Sequence, residues 1–276
     1  MIVEQPKNYL SSYVNGLLST GQTVFSREGA LKTLQVGQGA FLDAAGRLQK
    51  QGRLISPRHG FYVVVPPQYQ SWGAPPPSWY IDDLMRHEGC PYYVGLLKAA
   101  ELHGATHQAV MEFQVITDKR LPRIAAGRST LSFYYRKDMS VLATGIIDHK
   151  TDTGRMKISS VELTVFDLLR YTQATGGLDN IATVVSDLGG KIDAEKLAVI
   201  APAFERNIVQ RAGYLLEHVG HAGKTEKLSE YLSALLPLPW VELTPPPKDI
   251  PDFLPEPVER NDRWHIIVRR HPEVDE

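Results

Sequence analysis

The stretch "AFLDAAGRLQKQGRLISPRHGFYVVVPP", residues 40–67, restricts the fold more than any other part of the chain. Phe41, Ala45 and Leu48 recur at i, i+4 and i+7, the spacing of one buried helix face. Gly52 is a natural stop, because helices commonly end in a left-handed residue that glycine adopts freely. Two apolar runs then flank Pro57, Arg58, His59 and Gly60, the pattern of two strands around a turn. Pro66 and Pro67 lack the backbone donors that a central strand needs. A helix therefore feeds directly into a short hairpin with a basic tip.

The residues before it extend the pattern. Tyr9, Tyr13, Leu17 and Leu18 form a helical face that ends near Gly21, and "TVF" (23–25) is a short strand candidate. Ser26 stands where an N-cap belongs, ahead of a helix with Gly29, Ala30, Leu31 and Leu34. A turn near Leu34–Gly37 separates it from the third helix. Helix, helix, turn, helix and hairpin is the order of a winged helix-turn-helix, whose third helix enters the major groove of DNA. Gln38, Leu42, Asp43, Arg47 and Lys50 fall outside the apolar stripe and are expected to face outward. Gln38 and Arg47 carry donors and acceptors suited to adenine and guanine edges. Arg53, Arg58 and His59 on the hairpin suit flanking phosphates, as do Lys50 and Arg27, and phosphate contacts supply most of the affinity. The same fold also serves as a protein–protein module, and Gly39 and Gly46 each cost the helix up to ~1 kcal/mol relative to alanine.

Charge supports a polyanion at this end. Residues 1–69 hold seven Lys/Arg against three Asp/Glu, whereas residues 237–276 hold five against nine. The whole chain is near neutral, at −1, so the asymmetry is what informs.

A chain of 276 residues implies two domains. The proline-rich "VVVPPQYQSWGAPPPSWY" (63–80) suggests the boundary. Residues 1–69 are expected to form the winged helix, 70–79 a linker, and 80–276 a larger mixed α+β domain. In that domain Tyr80–His87 and Val94–His103 look helical, and 112–117, 130–136, 144–150 and 155–160 look like strands. From Glu162 the periodicity turns helical, through 162–171, 178–188, 204–220 and 227–236. A second proline-rich stretch, 236–259, reads as an extended tail over the surface. "RWHIIV" (263–268) reads as a late strand that rejoins the sheet. The fold class is α+β.

Several function classes find no support in the residues. No apolar run approaches the ~20 residues of a membrane span. The N-terminus lacks the basic-then-apolar order of a signal peptide. The single cysteine, Cys90, excludes an internal disulfide and suits a reducing cytoplasm. His103 and His107 have a zinc-ligand spacing, but Gly104 interrupts the helix and Glu101 precedes the first histidine, so HExxH is absent. Cys90, near His87, reads as an ordinary buried thiol. Asp148, Lys150 and Asp152 lack the E-x-K strand of a magnesium-dependent nuclease, and "GGK" (189–191) lacks the rest of a phosphate loop. No catalytic residues, metal or cofactor are expected, and the chain reads as a non-enzyme.

From "PYYVGLLKAAELHGATHQAVMEFQVIT" (91–117) onward the chain resembles the AbiEi family, the antitoxins of type IV toxin–antitoxin systems. The likeness continues through "VELTVFDLLRYTQATGGLDNIATVV" (161–185), "RAGYLLEHVG" (211–220) and "RWHIIVRRHPEVD" (263–275). Its most specific parts are Tyr93–Leu96 with Ala99–Gly104, and Asp167–Tyr171 with Gly176–Asp179. The resemblance implies an autorepressor whose N-terminal domain binds inverted repeats in its own promoter. It also implies that the C-terminal domain counters a cognate nucleotidyltransferase toxin, with no stable complex required. Tyr93, His103, Asp167 and Arg170 match family positions and are expected to pack and hydrogen-bond between helices and sheet. Two alternatives are a winged-helix regulator with a ligand-binding second domain and a DNA-binding nuclease.

Overall fold

We obtained a computed structural model that describes residues 9–105, 110–235, 237–244 and 255–274. The fold is α+β, with several sheets. Two compact units divide the chain. The first gathers Met1–Tyr93, Met111–Lys137 and Asp148–Lys157, and the second gathers Val94–Val110, Asp138–Ile147 and Ile158–Glu276.

The first unit begins with α1 (Tyr9–Ser19), β1 (Val24–Ser26), α2 (Arg27–Leu34), α3 (Gln38–Lys50), β2 (Leu54–Arg58) and β3 (Phe61–Val64). Local chemistry sets each boundary. The Ser26 hydroxyl accepts from the Gly29 N–H at 3.0 Å and caps α2, and Gln35 ends that helix in the left-handed region. Arg47 and Lys50 occupy the last turn of α3, where the helix dipole favours cations. Gly52 (φ 66°) turns the chain into β2, and Gly60 (φ 77°) turns it again into β3. The sheet order is β1-β3-β2, all antiparallel, with Val24 opposite Val63 and Leu54 opposite Val64. One side of α3, Phe41, Ala44, Ala45 and Leu48, closes a core with Leu10, Val14, Phe25, Ala30, Leu54, Tyr62 and Val64. Phe25 stacks on Tyr62 at 5.3 Å and Phe41 meets the same ring edge-on at 5.4 Å.

The proline-rich stretch is folded rather than loose. It forms 3-10 turns at Pro67–Trp72 and Pro77–Trp79 and buries Ala74, Pro75 and Pro77. Arg128 N–H donates to the Trp72 carbonyl at 3.0 Å. There Gly127 (φ 59°) sits so close that an added Cβ would lie 2.2 Å from the Trp72 oxygen. After α4 (Ile81–Glu88) come β4 (Tyr92–Val94), β5 (Glu112–Thr117), β6 (Ile124–Ala126), β7 (Ser129–Tyr135), β8 (Ile146–Thr151) and β9 (Gly154–Ser159). They form a six-stranded mixed sheet in the order β6-β7-β5-β4-β9-β8. β5 and β7 run parallel from Glu112/Thr130 to Thr117/Tyr135, and β6 pairs antiparallel with β7. The boundary between the units falls inside β4, β8 and β9.

The second unit is mainly helical: α5 (Leu96–Leu102), α6 (Val161–Arg170), α7 (Leu178–Gly189), α8 (Ala194–Ile200), α9 (Arg206–His218) and α10 (Glu226–Ser233). α6 is its axis. Ser160 caps it, Glu162–Leu169 are buried, and α5, α7, α8 and α9 pack around it. Asp193 caps α8 by accepting from the Glu195 and Lys196 amides at 3.0 and 3.3 Å. A small sheet follows, from β10 (Val241–Glu242), β11 (Glu259–Asn261) and β12 (Ile266–Val268), in the order β10-β12-β11.

This corrects the expected place of the late strand. "RWHIIV" does not rejoin the large sheet, because β12 is satisfied on both sides by β10 and β11. Trp264, just before β12, is fully buried and packs directly on α9, since a Cβ on Gly213 would lie 2.1 Å from its ring. Of the expected tail 236–259, residues 236 and 245–254 lie outside the described residues, while 241–242 and 259 are strand. Among the described residues no helix is long and apolar enough to cross a membrane.

Candidate functional site

The face of α3 opposite its core side is open. Gln38, Asp43, Arg47 and Lys50 are exposed, and so is Leu42. The helix cannot roll, because its other side is locked in the core and the Tyr9 hydroxyl donates to the Ala40 carbonyl at 2.6 Å.

The hairpin residues have diverse partners. Arg53 donates to Ser11 Oγ at 2.8 Å and to Asn15 Oδ1 at 2.7 Å, which ties β2 to α1. Arg58 turns inward. Its Nε lies 3.0 Å from Glu88 Oε1, its Nη2 donates to the Pro122 carbonyl at 2.5 Å, and its guanidinium lies 5.6 Å from the centre of the Phe133 ring. The two charged side chains are only 16% and 14% exposed. Glu88 also holds Lys119 at 3.3 Å. His59 Nε2 accepts from Arg27 Nη2 at 3.0 Å, so that nitrogen carries no proton in this arrangement. His87 Nε2–H donates to the His59 carbonyl at 3.0 Å, and its ring lies 5.4 Å from Phe61.

The structure thus brings Arg27 and His59 together at the hairpin turn and leaves Gln38, Arg47 and Lys50 on the open face of α3. It gives Arg53 and Arg58 protein partners. Sequence reasoning missed His87, Glu88 and Pro122, which stand 28 to 64 positions from the hairpin residues they hold, and Lys119, which pairs with Glu88. No local spacing marks such pairs.

The other candidates disperse. His103 Nε2 is 2.8 Å from the Ser159 carbonyl, and His107 lies outside the described residues. Asp148 faces Arg155 at 4.0 Å, Asp152 accepts from Trp79 Nε1 at 3.2 Å, and Lys150 is exposed. Cys90 is half-buried. Among the described residues no three His, Cys, Asp or Glu side chains gather as metal ligands. A cleft of about 170 Å³ is lined by Trp79, Asp82, Asp83, Arg86, Thr153 and Arg155. Arg86 pairs with both aspartates, and Tyr92 donates its hydroxyl to Asp82 at 3.0 Å, so those acids are internally compensated.

The residues with family likeness are structural in placement. Tyr93 and Asp167 are fully buried, and Arg170 donates from Nη1 to Glu205 Oε1 at 2.5 Å, linking α6 to the residue before α9.

The crystal structure of the RV2827C protein from Mycobacterium tuberculosis is similar to this chain, with a TM-score of 0.64 and 17% identity over 95% of this chain and 91% of that one. It shares the fold. A solution structure of the antibiotic-resistance factor ANT(2'')-Ia aligns with a TM-score of 0.31 and 13% identity, over 51% of this chain and 93% of that one. No curated protein matches the chain. Residues 93–218, from the end of β4 to the end of α9, match the family model described as the AbiEi antitoxin C-terminal domain. That match contains Tyr93, His103, Asp167 and Arg170, so residues 93–218 are similar to an AbiEi antitoxin C-terminal domain.

Proposed function

We propose that the protein is the antitoxin of a type IV toxin–antitoxin pair and the transcriptional repressor of its own operon. The observation that carries the antitoxin role is the AbiEi match over residues 93–218. In this reading residues 1–69 are a winged helix-turn-helix, with α3 in the major groove and β2–β3 as the wing. The order helix, strand, helix, helix, hairpin supports it, as do the exposed Arg47 and Lys50 in the last turn of α3. Gln38 and Arg47 read base edges, while Lys50, Arg27 and His59 meet phosphates. Arg53 and Arg58 hold the hairpin in place. The larger domain, residues 80–276, counters a nucleotidyltransferase toxin in the cytoplasm without catalysis of its own and without a lasting complex.

The test is growth of bacteria that express the nucleotidyltransferase encoded next to this gene, with and without the full chain. Restored growth is expected. Continued toxicity, with the full chain present at undiminished level and folded, contradicts the antitoxin role.

A further inference from the structure

We infer that the loop 118–123 is a second duplex-binding segment, in which Arg120 and Arg123 contact DNA phosphates beyond the hairpin turn. The inference rests on the DNA-binding reading of α3 and the hairpin, and extends it to a stretch outside the helix and wing.

Residues 111–137 hold six Lys/Arg against two Asp/Glu, the same +4 excess that residues 1–69 carry over more than twice the length. Three of the six, Lys119, Arg120 and Arg123, sit in the loop between β5 and β6. This loop is fastened to the hairpin within the first compact unit. The Pro122 carbonyl accepts from Arg58, Lys119 and Arg58 share Glu88, and β2 packs on β6. The hairpin turn is in turn fixed by the Arg27–His59 bond and by His87 on the His59 carbonyl. Arg27 at the start of α2 and the cations of the loop are therefore linked through the hairpin turn. Inward-facing Arg58 has a positive role here: it joins the two segments.

The outer groups are available. Arg120 is exposed and lies 4.4 Å from the centre of the Tyr135 ring, and among the described residues no carboxylate pairs with it. Arg123 is 61% exposed and pairs with Glu112, itself 34% exposed. Such a surface pair contributes little to stability, so a phosphate can displace the carboxylate. The planar fork of a guanidinium binds phosphate oxygens two at a time, which a carboxylate-free Arg120 can do directly.

The test uses the full chain and a long mixed-sequence duplex with a fluorescent label, followed by anisotropy between about 50 and 200 mM salt, where each lost phosphate contact lowers the log–log slope by about 0.9. Arg120→Gln with Arg123→Gln should lower the slope by about 1.8. Arg120→Lys with Arg123→Lys should keep it. Glu112→Gln, which releases Arg123, should tighten binding. An unchanged slope in the glutamine pair, while Arg47→Gln with Lys50→Gln lowers it, overturns the loop contact and leaves the DNA-binding reading standing. Absence of duplex binding by the unaltered chain overturns both. If the glutamine pair unfolds, Glu112→Gln decides: tighter binding supports the contact, and unchanged binding overturns it.

Discussion

Arg58 offers a sharp test, because a wing-tip arginine and an internal clamp fail in opposite ways when truncated. Arg58→Ala removes the 3.0 Å contact to Glu88, the bond to the Pro122 carbonyl and the guanidinium over Phe133. Both charged partners are under a fifth exposed, so solvent screening weakens the pair little. A hydrogen bond to a charged group contributes about 1.5–3 kcal/mol, and a cation over an aromatic face about 0.5–1. Stripping one partner from a fully buried pair costs about 3–5 kcal/mol, but Glu88 keeps Lys119 at 3.3 Å and the loss falls below that limit. We expect a destabilisation of about 2–4 kcal/mol on these terms. The assay is urea unfolding of Arg58→Ala, Glu88→Gln and the double variant. A coupling of about 0.5–3 kcal/mol between the two sites is the signature of direct contact. A stability change within about 0.5 kcal/mol, accompanied by a loss of about 0.9 in the salt slope of duplex binding, would refute the clamp and restore Arg58 as a phosphate contact.

Two further outcomes follow from the second unit. Gly213→Ala should cost about 1–3 kcal/mol or more in chemical unfolding, because its Cβ would fall 2.1 Å from the ring of Trp264, which is fully buried and cannot yield. Retained stability would show that the small sheet gives way easily. The Arg270 guanidinium, then the Glu273 N–H, hold the Asp179 carboxyl below the usual carboxylate range against some desolvation. A depressed carboxyl stabilises fully above its unfolded value of about 3.9 and loses that contribution as pH falls through the lower folded value. An NMR titration of the Glu273 amide should therefore step only below about pH 4, and Asp179→Asn should abolish the step.

Local signals in the amino-acid sequence encode much of this fold. Ser26 as a cap, Gly52 and Gly60 as turns and the Phe41–Ala45–Leu48 stripe act within a few residues, and each holds in the folded chain. β5 occupies the expected 112–117, and β7 and β9 lie within one residue of their expected bounds. β4 and β6 have three residues each, too few to display alternation, and α8 has seven with Asp193 as its main marker. The partners of β12 were not legible because strand pairing is chosen by segments far apart in sequence.

The site divided in the same way. Exposure of Gln38, Arg47 and Lys50 follows from helix geometry once the buried stripe is known. The inward turn of Arg58 depends on Glu88 and Pro122, 30 and 64 positions away, and no periodicity encodes that. The four family-matching residues were legible by likeness. Burial of Tyr93 and Asp167, and the bonds of His103 and Arg170, supply a packing reason for it.

The central claim is that the open face of α3 and the hairpin turn read duplex DNA in a chain whose residues 93–218 match an antitoxin domain. A footprint of the full chain on the DNA upstream of its own gene tests this most directly. The account predicts protection of inverted repeats, lost in Arg47→Gln with Lys50→Gln and weakened steeply by salt. Equal occupancy of the upstream DNA and a scrambled duplex, or no protection at low salt, would contradict it.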